Sequence, residues 1–92
     1  MSILSATFGV GHAQLDVTER VRSMYQKGVR LFEAKLSDFG DPAPYMVKTL
    51  VIVWIVDGKR KVSGVLEGAE KLIELPDGLQ TEATTTTPGM PK

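Results

Sequence analysis

Seven consecutive apolar residues, LVIVWIV at positions 50–56, run straight into Asp57-Gly58. β-Branched and aromatic side chains dominate the run, and these suit a pleated surface. Asp-Gly between two strand-like segments is a strong hairpin signal, because a type I′ turn needs positive φ at both central residues. The sequence therefore predicts a hairpin over residues 47–66. A two-residue turn fixes its register by counting outward: Val56 opposite Lys59, Trp54 opposite Lys61, Val53 opposite Val62, Val51 opposite Gly64. The first strand is apolar on both faces and reads as central; the second is more polar and reads as nearer an edge or a solvent face.

The rest of the chain is organised around this hairpin. Residues 3–10 (ILSATFGV) alternate weakly and suit a first, half-buried strand. Asp16 and Glu19 have capping-box spacing, and Val17, Val21, Met24 and Tyr25 recur at helical intervals before Gly28. This predicts a short helix over residues 15–27 with Asp16 as N-cap and Arg20, Arg22, Ser23, Gln26 and Lys27 toward water; an extended segment over 14–18 before a shorter helix competes with it. Residues 29–36 alternate as a second strand. Residues 37–44 (SDFGDPAP) are dense in turn formers. Residues 71–75 read as a last strand closed by Pro76. The fold class is mainly β, a small antiparallel β-sandwich with one short helix. The sandwich domain is assigned to residues 1–78, and TEATTTTPGMPK lies in a flexible Thr/Pro tail over 79–92.

Composition narrows the function classes. The chain has 92 residues with 11 basic and 11 acidic side chains. Zero net charge argues against a dedicated nucleic-acid binder and lowers the repulsion between copies. Without cysteine, no disulfide frame or thiolate metal site can form. Residues 1–10 lack the pattern of a signal peptide, so a cytoplasmic location is expected. No apolar run approaches the ~20 residues of a membrane-spanning helix.

A set of residues, taken together, resembles a known family. Asp16-Val17-Thr18, Gly28, Phe39-Gly40-Asp41-Pro42 with Lys48, an apolar strand, a short turn and Leu72-Ile73-Glu74-Leu75-Pro76 follow in order. This order resembles the carboxy-terminal domain of the mitochondrial DnaJ-like protein, the eleventh member of J-protein subfamily C. That domain, formerly of unknown function, has a Gly-Phe-Tyr-Asp-Pro-like loop, a lysine, a hairpin and a closing Leu-x-Ile-Pro. The resemblance covers residues 14–76. It implies protein contacts of the kind used in organising mitochondrial membranes, and it supplies no catalytic residue. The chain has no His-Pro-Asp tripeptide, so stimulation of Hsp70 is not carried over.

The remaining chemistry is sparse. His12 is the sole histidine, which leaves no Cys-His pair and no zinc set. Asp38, Asp41, Asp57 and Asp77 all fall in turns; loop carboxylates can bind Ca²⁺, but no EF-hand spacing occurs and aspartate is itself a turn former. Trp54 shares a face with Lys59 and Lys61, a pattern that fits a ring stacking on a sugar or a base and fits still better a core tryptophan under lysine stems. No nucleophile and base are paired, and no cofactor is expected. A non-enzymatic interaction module is the expected function, with a protein or a second copy as partner, a structural homo-oligomer as the alternative, and a carbohydrate-binding role as a third. Its expected surface is Phe39, Asp41 and Tyr45 together with Trp54, Lys59 and Lys61.

Overall fold

A computed structural model describes residues 2–81. It contains strands β1 (Ser2–Val10), β2 (Ala13–Asp16), β3 (Leu31–Phe32), β4 (Thr49–Val56), β5 (Lys59–Leu66) and β6 (Ile73–Glu74), with helices α1 (Thr18–Gln26) and α2 (Leu36–Phe39). The fold is mainly β and antiparallel. One sheet has the order β2-β1-β4-β5 and the other pairs β3 with β6. The second layer of the sandwich is thus made of α1 and a two-stranded ribbon.

The hairpin forms in the register counted from its turn. Val56 pairs with Lys59, Trp54 with Lys61, Val53 with Val62 and Val51 with Gly64. Asp57 and Gly58 take φ of 52° and 74°, as a type I′ turn requires. β4 is central, between β1 and β5, and β5 is an edge. Leu50, Ile52 and Trp54 point into the core with Ile3, Ala6 and Phe8 of β1. They meet Val21 and Tyr25 of α1, and Phe32, Ala34, Ile73 and Leu75 from the ribbon side. Each large side chain so buried contributes about 1.5–3 kcal/mol.

Helix α1 begins two residues later than the start of the expected capping box. Val17 is the N-cap, while Asp16 Oδ1 accepts from the Thr18 N–H (3.0 Å) and the Thr18 hydroxyl (2.5 Å). These two bonds, aided by the Arg22 charge, outweigh desolvation and hold the Asp16 carboxyl below its usual range. Residues 13–16 became strand β2 because Gly9 lets that segment approach β1: a Cβ on Gly9 would lie 2.0 Å from the Ala13 carbonyl oxygen. The competing expectation of an extended 14–18 is closer to the outcome than a helix starting at 15. The helix ends in a Schellman motif, with Gly28 N–H donating to Tyr25 O, Val29 N–H to Met24 O, and Gly28 at φ 105°.

Other expectations need correction. Arg22 does not face water: β1 has a bulge between Ile3 and Ser5, and the Arg22 guanidinium donates to Ile3 O (2.9 Å) and Leu4 O (3.4 Å). The expected strand over 29–36 shrinks to Leu31–Phe32, and part of the expected loop is the short helix α2. The domain boundary at 78 is too early. Leu79 is buried, and Ile3 N–H donates to Gln80 O at 3.2 Å. The threonine-rich remainder of the expected tail lies outside the described residues.

Candidate functional site

The six residues singled out from the sequence do not form one surface. Phe39 is buried, its ring centroid 5.3 Å from that of Phe8. The turn of α2 swings it inward, so it cannot anchor a partner from outside. Trp54 is also buried, on the core face of β4. Lys61 sits directly across from it and Lys59 across from Val56, both exposed near the hairpin turn. Trp54 packs in the core, which removes the ring that would have served a sugar.

Asp41 and Tyr45 belong to the other end of the hairpin. The length of β4 alone, eight residues at ~3.4 Å each, separates that end from the lysines by roughly 24 Å. Asp41 is an internal partner. Its Oδ1 lies 2.9 Å from Lys48 Nζ and accepts from the Ala43 N–H at 3.3 Å. Lys48 is only 2% exposed and also meets Glu67 Oε1 at 3.4 Å and the carbonyl oxygens of Ala43 (2.8 Å) and Met46. Glu67 Oε1 accepts the Lys48 backbone N–H as well, at 2.8 Å. Burial pulls the Lys48 pKa down, but the bonds and charges of Asp41 and Glu67 outweigh it, and the ammonium is held above the ordinary lysine range. The group clamps the 41–48 loop onto the end of the hairpin. Sequence reading missed this role. The signal was present: position 48 has the same parity as the core positions Leu50, Ile52 and Trp54, so its cation needed an acidic partner.

That clamp leaves residues 45–47 projecting. Tyr45 is wholly exposed and takes φ 68°, while Met46 and Val47 are 55% and 60% exposed. Tyr45 and Asp57 are the two non-glycine residues at positive φ among the described residues. Asp57 has the reason of a type I′ turn, and Tyr45 follows Pro44 as the third residue of a turn closed by the Met46 N–H donating to Ala43 O (3.2 Å), a position that needs positive φ and is usually given to glycine. Adjacent to this corner is the face of the sheet opposite the core. Thr49, Val51, Val53 and Ile55 of β4 line it, half-buried, beside Val62 (62% exposed) and Leu66 (54%) of β5. No described element packs over this face.

The other candidate groups are scattered. Asp77 pairs with Arg30 at 2.7 Å, and Arg30 stacks 3.7 Å from the Tyr25 ring centroid. Tyr25 in turn ties the last described residues down, donating its hydroxyl to Pro76 O and accepting from the Leu79 N–H at 3.1 Å. Among the described residues no three histidine, aspartate or glutamate side chains converge as a metal site would require, and no helix is long and apolar enough to cross a membrane. Comparison with family models, with curated proteins and with solved structures gave no match.

Proposed function

We propose that this chain is a non-enzymatic protein–protein interaction module whose contact surface is the corner at residues 45–47 with the open β4–β5 face. The observation that carries this reading is Tyr45 itself. A left-handed backbone costs an L-residue about 1–2 kcal/mol, and glycine would avoid that cost. The chain instead holds a large aromatic there, wholly exposed. A tyrosine held at the corner of a closed turn and flanked by exposed Met46 and Val47 has the character of an interface anchor. The charged groups support a non-catalytic role, because Lys48, Asp41 and Glu67 are engaged with one another.

A photo-crosslinking amino acid in place of Tyr45 tests the reading in cells. It should yield one discrete protein adduct that forms again with the purified partner, while the same group at exposed Gln26 on α1 should not. Equal or absent adducts at the two positions would refute it.

A further inference from the structure

We propose that the β5 edge docks a second copy of this chain, the two β5 strands running antiparallel about a twofold axis at Ser63. This goes beyond the Tyr45 reading and does not depend on it. The type I′ turn makes Val56 and Lys59 the pair that exchanges both backbone bonds. Alternation then turns residues 61, 63 and 65 toward β4 and aims the N–H and C=O groups of Arg60, Val62, Gly64 and Leu66 outward. Glu67 keeps the alternation, donating to Lys48 O at 2.9 Å. Of the outward groups, the Leu66 carbonyl is taken by the Ala69 N–H (3.1 Å). The rest have no partner among the described residues.

The other side of the sheet is treated differently. Past the short strand β2, Ala6 N–H donates to Thr18 Oγ1 (2.9 Å) and Ala6 O accepts from the Val17 N–H (2.9 Å). Arg22 covers the carbonyls of Ile3 and Leu4, and Gln80 O takes the Ile3 N–H. One margin is closed group by group. On the β5 margin the outward groups of Arg60, Val62 and Gly64 stay unpaired among the described residues, a template that isolated monomers usually blunt.

Charge and shape select the occupant. Lys59, Arg60 and Lys61 make one end of the edge basic, and Glu67 and Glu70 follow at the other. A parallel neighbour would set like charges together, whereas a twofold antiparallel one sets basic against acidic. The register that pairs the outward groups and overlaps residues 60–66 places Lys59 opposite the partner's Glu67. The same register puts Val62 opposite the partner's Gly64. Gly64 is not in the left-handed region, and an added Cβ would meet Thr49 and Val51 only at an ordinary 3.6 Å. The single chain therefore does not require glycine at 64; a strand glycine commonly marks the close approach of another group.

Sedimentation velocity on the full chain should show the mass doubling as concentration rises. Hydrogen exchange at Arg60, Val62, Gly64 and Leu66 should slow over the same range. The chain has no cysteine, so Ser63→Cys supplies a unique thiol. Its twofold mate would lie about 4.5 Å away at Cα, close enough to bond on mild oxidation. Lys59→Cys, roughly 27 Å from its own copy, should stay unlinked. A single-chain mass throughout, edge amides protected at every dilution, or equal crosslinking of the two variants would overturn the dimer. Any of these would leave the Tyr45 reading standing.

Discussion

Lys48 Nζ and Asp41 Oδ1 lie 2.9 Å apart around an ammonium that is almost sealed from water. That contact, with Glu67, sets the shape of the proposed surface, because it pins both ends of the segment that presents Tyr45. Lys48→Met would leave two carboxylates without their cation and the Ala43 and Met46 carbonyls without their donor. The expected result is a lower Tm by calorimetry and faster hydrogen exchange over residues 41–48. The pH dependence has a definite sign. A lysine whose folded pKa is raised adds stability that is fully present below its unfolded value, about 10.4, and is lost as pH rises through the folded value. Denaturant melts at increasing alkalinity should therefore show a falling stability above about pH 10 that Lys48→Met lacks.

Phe39 and Tyr45, six residues apart, should respond in opposite ways. Phe39→Ala removes a buried ring packed on Phe8 and should cost about 3 kcal/mol in urea unfolding. Tyr45→Gly relieves a left-handed backbone and should stabilise by roughly 1 kcal/mol while weakening partner capture at least tenfold. A stability loss at Tyr45 would show that the ring packs inside the chain.

Two glycines on the same sheet offer a matched comparison. Gly9→Ala drives a methyl into the Ala13 carbonyl and should destabilise by roughly 2–3 kcal/mol, with loss of the β1–β2 pairing. Gly64→Ala meets only ordinary contacts and should leave thermal stability within about 0.5 kcal/mol. Chemical denaturation of both variants distinguishes a glycine needed by the fold from one that is not.

The hairpin was legible because its information is local: the Asp57-Gly58 turn dictates the register and the apolar run dictates which strand is central. The α1 stop was legible for the same reason, since Gly28 carries the Schellman geometry alone. What escaped depends on contacts distant in sequence. β2 forms because Gly9 accepts a backbone against it, and Arg22 turns inward because the bulge at Leu4 exposes two carbonyls. Phe39 looked like a loop aromatic and is core, because one turn of helix before Gly40 rotates it toward Phe8. The surface residues were half legible. Tyr45 is exposed as expected, but its grouping with Trp54, Lys59 and Lys61 ignored the length of β4 between them.

Neighbouring residues of β4 provide the most direct test of the account, which holds that this strand has one face in the core and one left for a partner. Ile52→Cys and Val53→Cys, each the sole thiol in the chain, should be titrated with a thiol reagent in the folded protein. The account predicts that the thiol at 52 reacts only on unfolding, and that the thiol at 53 reacts readily and is shielded once the partner binds. Two thiols equally slow in the free chain, or a thiol at 53 that the bound partner leaves fully reactive, would contradict it.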